Sequence, residues 1–367
     1  VSTPSDAPVS ETPPTGPALG WHLTRRGWTV LSSSLVVVAL LVLGLFVPVP
    51  YVSLGPGPTY DTLGAVQGVQ IVRIDGAETF PTNGQLRMTT VSVKDDVSMF
   101  EAVALWVSGR YALAPREEYF RPGVTEEEVE QQNSKLFQDS QSNAEIAALR
   151  QLKYPVKVIA QRITSGAPAD KVLVPGDRLI SVNDKPIATV ENVRASLAGT
   201  VPGQTVPITF QREGKEQSST ITLGKATDFG AEERAEGFMG LESAERPDVQ
   251  FKTSITLADV GGPSAGLMFA LAIIDRLTTG DLSGGAIIAG TGEITAQGKV
   301  DPIGGIPFKM VSAREAGATT FLVPADNCAE AKENAPDGLR LVKIENLDGA
   351  VHALESLSAH RDDVPAC

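Results

Sequence analysis

Histidine and cysteine are scarce in this chain of 367 residues, which holds three of the first and two of the second. No pair among them has the spacing of metal ligands, so neither a metal nor any other cofactor is expected. A Ser-His-Asp site would have to use His22, which lies on the far side of an apolar segment, or His352 or His360, in a C-terminal stretch that reads as a surface helix and its end. No Gly-x-x-x-x-Gly-Lys-Ser/Thr loop occurs: Gly214-Lys215, Gly224-Lys225 and Gly298-Lys299 are followed by Glu216, Ala226 and Val300, which excludes phosphate-loop nucleotide chemistry. Positive charge is also short, with 31 Lys and Arg against 44 Asp and Glu and a net charge of −13, which argues against nucleic acid as a partner.

One long apolar run is present. Trp28 to Val47 is twenty residues without a charge, and as a helix it would span about 30 Å, the hydrocarbon thickness of a bilayer. Arg25 and Arg26 before it suit the n-region of a signal peptide as well, but the run is long and Phe46 to Tyr51 offers no Ala-x-Ala cleavage site. Read as a transmembrane helix, it has its arginines on the N-terminal flank, and the first charge after it is Asp61. The positive-inside rule then places the N-terminus in the cytoplasm and the rest at the cell exterior or in the periplasm. Residues 1–27, rich in Pro, Ser and Thr, read as a disordered cytoplasmic tail. Cys328 and Cys367 fall in the exported part, where an oxidising environment would allow them to pair; otherwise Cys328 is a helix-start residue and Cys367 a terminal thiol.

Two segments carry chemistry. Gly261-Gly262-Pro263-Ser264-Ala265-Gly266 opens an apolar run that continues to Ile274, and Asp301-Pro302-Ile303-Gly304-Gly305-Ile306-Pro307-Phe308-Lys309 delivers a lysine after a Gly-Gly turn. A serine needs a base to become a nucleophile, and a lysine amine serves only if desolvation lowers its pKa toward neutrality. Taken alone, the first segment is more often a plain helix start, and its glycines could equally be a tight loop with no chemistry.

Read together with Thr291-Gly292-Glu293-Ile294-Thr295 between them, the segments from about Phe251 to Asp326 resemble the proteolytic domain of the Lon family, with its Pro-Ser-Ala-Gly, Thr-Gly-Glu-Ile-Thr and Pro-Ile-Gly-Gly motifs in order. The resemblance implies Ser264 as nucleophile, Lys309 as base and Thr291 as a residue that helps hold the amine. The chain departs from the family in having Gly261 where many members carry an acid three positions before the serine. Asp259, the nearest acid, is given no role, and Lys309 stands alone where many members have two lysines. The absent phosphate loop implies a Lon-like protease without the ATPase module.

Val156 to Leu223 has the rhythm of a small β domain, and its Ser165-Gly166-Ala167-Pro168-Ala169 and Pro175-Gly176-Asp177-Arg178-Leu179-Ile180 segments resemble bacterial PDZ domains. Such domains add an extended peptide to a sheet edge beside a helix. The resemblance puts the edge at Pro155 to Ala160 and the helix at Val190 to Leu197, with Val156, Val158, Val193 and Leu197 as groove candidates, each also readable as ordinary core. Leu152 to Pro155 lacks a glycine-rich carboxylate loop.

The expected architecture is α+β, a Lon-type proteolytic domain with an inserted PDZ β-domain after one transmembrane helix. Its parts are the tail 1–27, the membrane helix 28–47, a neck and first protease strands 51–98, a helical connector 99–154, the PDZ domain 155–225 and the proteolytic domain 237–360. The arrangement resembles bacterial membrane-anchored PDZ-containing Lon-like serine proteases. It implies an ATP-independent endopeptidase acting on exported protein or peptide substrates. A membrane-anchored PDZ adaptor with a lapsed protease fold is the alternative, and a homo-oligomer is left open.

Overall fold

The computed structural model describes residues 24–258, 260–361 and 363–367, with the side chain of Glu126 left aside. His22, Asp259 and nearly all of the N-terminal tail therefore lie outside the described residues. The apolar run forms the helix Arg25–Phe46, three residues longer at its start than Trp28, because the Thr24 side chain accepts from Gly27 N and caps it. Only Gly44 of this helix is buried against the rest of the protein.

The body is built on a six-stranded mixed sheet in the order Arg340–Ile344, Thr320–Pro324, Ile287–Gly290, Gln85–Lys94, Tyr51–Asp61, Ala112–Pro115. The first three junctions are parallel, and the last two are antiparallel. Helices cover both faces of Thr320–Pro324, which is buried throughout, whereas Gln85–Lys94 carries polar residues between its apolar ones and is exposed at its C-terminal end. Ile288 and Leu322 face the core of the helices Gly266–Leu277, Glu126–Gln151 and Leu347–Ser358, whereas Ala289, Phe321 and Val323 face the helices Ile306–Glu315 and Cys328–Glu333. The helix Gly266–Leu277 lies deepest, with every residue but Arg276 buried, and Phe137 of the long helix meets its Phe269 edge to face at 5.8 Å. Three strands of this sheet precede the PDZ-like segment in sequence and three follow it, so that segment is an insertion.

The stretch 99–154 is less purely helical than the sequence reading expects. It holds the helix Met99–Val107, the edge strand Ala112–Pro115 and the 26-residue helix Glu126–Gln151, whose start is fixed by a reciprocal capping box between Thr125 and Glu128.

The second sheet runs Lys215–Thr222, Thr205–Arg212, Arg178–Val182, Val156–Ile163, Leu241–Pro247. Its last strand comes from beyond residue 225 and pairs with Val156–Ile163 from Leu241↔Ile163 to Pro247↔Val156. This corrects the expected edge: Pro155 to Ala160 is an interior strand, and the free edge belongs to Leu241–Pro247. The disulfide Cys328–Cys367 joins the helix Cys328–Glu333 to a C-terminal segment that runs beside Arg340–Ile344, where Lys343 N donates to Pro365 O.

Candidate active site

Lys309 enters the site because of the turn before it. Gly305 has φ 73°, a conformation that disfavours any side chain, and a Cβ there would lie 2.6 Å from Val91 Cγ2. The turn starts the helix Ile306–Glu315, on which Ile306, Met310 and Ala313 bury into the core beneath the sheet. Lys309 lies on this helix and passes its amine toward the C-terminal end of the strand Ile287–Gly290, where Thr291 follows. Ser264 reaches the same strand end from the opposite face, just before the helix Gly266–Leu277.

Thr291 links the two. Lys309 Nζ donates to Thr291 Oγ1 at 3.0 Å, and that hydroxyl donates to the backbone carbonyl of Ser264 at 3.0 Å. Gly292 N donates to the same carbonyl at 2.9 Å, and Leu267 N returns a bond to Gly292 O at 3.1 Å, so the serine backbone is fixed on the strand end. Among the described residues no hydrogen bond joins Ser264 Oγ directly to Lys309 Nζ. Both side chains line one cavity of about 600 Å³, together with Thr89, Thr90, Gly262 and Glu293.

Lys309 is 3% exposed, and among the described residues no carboxylate is paired with it. Burial without a counter-charge disfavours the ammonium form and pushes its pKa down from 10.5 to about 7. An amine that titrates near neutrality can take a proton from a hydroxyl and return it. Burial and the neighbouring Asp301 push Glu293 up from the usual carboxylate range. Ser264 and Ala265 offer backbone N–H groups that no acceptor among the described residues occupies, at the mouth of a helix where a developing negative charge is favoured. His352 is exposed on the helix Leu347–Ser358 beside Asp348 and Glu355, and it is not part of this cavity.

In the small β domain, two of the four residues expected to line a groove share a cavity and the other two do not. Val193 and Leu197, on and just after the helix Val190–Ser196, line a cavity of about 890 Å³, and its other wall is Phe238 to Ser243. Val156 and Val158 do not line it: Val158 is buried in the PDZ core, and Val156 is paired with Pro247. The missed wall begins Gly237-Phe238-Met239-Gly240-Leu241, a glycine-bearing loop entering a strand, and that pattern is the signal which could have located it.

Sequence reasoning also missed Arg150, at the end of the long helix. It donates to Glu245 Oε1 at 2.8 Å, to Ala188 O at 3.4 Å and to Ala296 O at 3.2 Å, joining the groove strand, the loop before the groove helix and the hairpin loop that follows Glu293. Glu245 also accepts from Val190 N at 3.3 Å, and Gln297 donates to Glu191 at 3.2 Å.

Residues 255–355 match the family model of the Lon protease (S16) C-terminal proteolytic domain, and residues 128–223 match that of the PDZ domain. The Lon protease of Heliobacterium modesticaldum is 40% identical over 143 residues, 38% of this chain and 16% of that protein. Lon protease 1 of Bacillus subtilis is 31% identical over 147 residues, 39% of this chain and 18% of that protein. The chain thus matches less than a fifth of the length of these relatives. The solved PDZ domain of an SdrC-like protein from Listeria monocytogenes covers 24% of this chain and 87% of its own at 17% identity, with a TM-score of 0.22. The protein is a mixed α and β chain that carries a Lon-type proteolytic domain and a PDZ domain, with one long apolar helix among the described residues, near the N-terminus.

Proposed function

We propose that this Lon-type domain is a working serine endopeptidase, anchored to a membrane by Arg25–Phe46 and independent of ATP. The observation that carries the reading is the buried Lys309 amine, with its pKa near 7, tied through Thr291 to the backbone of Ser264 in one open cavity.

In the proposed reaction Ser264 Oγ attacks the substrate carbonyl carbon while neutral Lys309 Nζ accepts the hydroxyl proton. The carbonyl oxygen becomes an oxyanion, which the Ser264 and Ala265 N–H groups are placed to receive. Collapse breaks the C–N bond, and the leaving amine takes its proton from Lys309. Water then attacks the acyl-serine ester, gives its proton to Lys309 and releases the acid, with the proton returning to Ser264. Thr291 keeps the amine pointed into the cavity through both halves.

The substrate is proposed to be extended polypeptide. The pairing of Gln85–Lys94 with Ile287–Gly290 ends at Met88↔Gly290, so the next residues, Thr89 to Ser92, line the cavity with one edge unpaired by that strand. A peptide strand added there would pass Ser264. The free edge of Leu241–Pro247, facing the helix Val190–Ser196, is the proposed recruiting or gating groove. Arg25 and Arg26, in the first turn of the apolar helix, and the Cys328–Cys367 disulfide support export of the body from the cytoplasm.

Digestion of a labelled unfolded protein without nucleotide tests the reading. The wild-type chain should cleave it, and Ser264→Ala and Lys309→Ala should each abolish cleavage while leaving the fold intact, because nucleophile and base act as one unit. Cleavage by the serine variant at the wild-type rate would refute it.

A further inference from the structure

The helix Met99–Val107 exposes the wrong face for a helix in water. Its outward stripe is Phe100, Val103, Ala104 and Val107, the i, i+3, i+4, i+7 pattern that a surface helix normally turns inward, with Trp106 beside it. Val103 is 53% exposed, Trp106 68% and Val107 72%, in one contiguous face rather than scattered singly. Its only charge, Glu101, is paired with Lys94.

The position of this helix is set by the apolar anchor. The Phe100 ring packs on Gly44, where a Cβ would lie 2.5 Å from Phe100 Cε2. Gly44 lies within the final turn of Arg25–Phe46. The chain leaving that helix is then pinned to the start of the other: Val49 N donates to Val97 O at 2.9 Å, and Pro48 bridges Ser98. If Arg25–Phe46 crosses a bilayer, Phe100 meets it at the depth of its outer hydrocarbon boundary, and the exposed stripe continues that apolar surface.

We propose that Met99–Val107 is a membrane-interface helix, seated in the outer headgroup and upper acyl region with Phe100, Val103, Trp106 and Val107 toward lipid. The proposal rests on the anchor reading. The occupant is lipid because the apolar face is continuous with the membrane helix, and an aromatic such as Trp106 suits the boundary between acyl chain and water. The proposal also gives the catalytic cavity an address. Ser98 is six positions after Ser92 on its wall, a span of at most about 22 Å, so cleavage takes place close to the membrane surface.

The chain has three tryptophans, so the full-length Trp21→Phe/Trp28→Phe variant keeps Trp106 as its sole tryptophan, excited selectively over tyrosine. In phosphatidylcholine vesicles, replacing the lipid by one brominated high on the acyl chain should quench Trp106 about twofold or more, while aqueous iodide quenches it little. Val107→Glu, at an exposed position, should restore iodide quenching without loss of fold or of short-peptide hydrolysis. The Trp21→Phe/Trp106→Phe variant reports the anchor through Trp28. Quenching of Trp28 by bromolipid with Trp106 open to iodide overturns the interface helix and leaves the anchor standing. Shielding of Trp106 from both quenchers also overturns it, since a protein partner would then cover the face. Absence of bromolipid quenching at both positions removes the anchor and the inference together.

Discussion

Replacing Lys309 by methionine should make the protein inactive and more stable, and the gain should vanish with rising pH. In the folded state the amine titrates near 7, against 10.5 in the unfolded chain. Below pH 7 both states hold the proton, and the folded state bears the full cost of a buried ammonium. Between 7 and 10.5 the unfolded chain holds a proton that the folded one has released, so wild-type stability rises with pH; above 10.5 the cost is gone. At 1.36 kcal/mol per pKa unit the full cost is about 5 kcal/mol. Methionine is apolar and of similar length, but it loses the bond to Thr291, worth about 1 kcal/mol. Urea unfolding at pH 6 should therefore show Lys309→Met more stable by about 4 kcal/mol, narrowing to about 1 kcal/mol at pH 9. In the wild type, kcat/KM should fall about tenfold per pH unit below 7 and level off above it. A variant no more stable at pH 6, or a difference that does not change with pH, would mean that the amine is solvated and charged, and the argument for a lysine base would fail.

Thr291→Val is isosteric and leaves Ser264 O bonded to Gly292 N, so the fold should survive. Peptide hydrolysis should drop about tenfold to a hundredfold, and the acid limb of the pH profile should move to lower pH, because an acceptor of the ammonium form has been lost. Leu241→Glu, in the half-buried groove wall, should weaken cleavage of folded or long substrates several-fold more than cleavage of a short peptide; equal losses on both would remove the recruiting role. Arg150→Ala strands Glu245, whose side chain is 3% exposed, and should cost about 3 kcal/mol in urea unfolding, with partial recovery in Arg150→Ala/Glu245→Gln. An unchanged midpoint would show that this bridge does not hold the PDZ domain to the hairpin.

The parts of this protein set by local sequence were readable without coordinates. The membrane-length apolar run, the Ser264 and Lys309 segments and the PDZ body each carry their pattern in consecutive residues. What was lost depended on partners far away in sequence. A strand is interior or edge according to what pairs with it, and Val156–Ile163 is made interior by residues some 80 positions later. For the same reason Val156 and Val158 were grouped with Val193 and Leu197, whereas the cavity beside the helix is walled by Phe238 to Ser243. Ala112–Pro115, four residues long, has no periodicity to detect. The Arg150 to Glu245 bridge spans 95 positions and left no local trace. Lys309 was expected as the base from the family resemblance, but the burial that lowers its pKa comes from a fold that the motif alone does not describe.

Trapping the covalent intermediate tests the central claim most directly. A slowly deacylated ester substrate, quenched in acid and analysed by intact-mass and peptide mapping, should leave one acyl group per chain, placed on Ser264. The adduct should be absent from Ser264→Ala, and its formation should slow at least about a hundredfold in Lys309→Arg, whose guanidinium keeps its proton. An acyl group mapped to another residue, or substrate turnover by Ser264→Ala at the wild-type rate, would contradict the account.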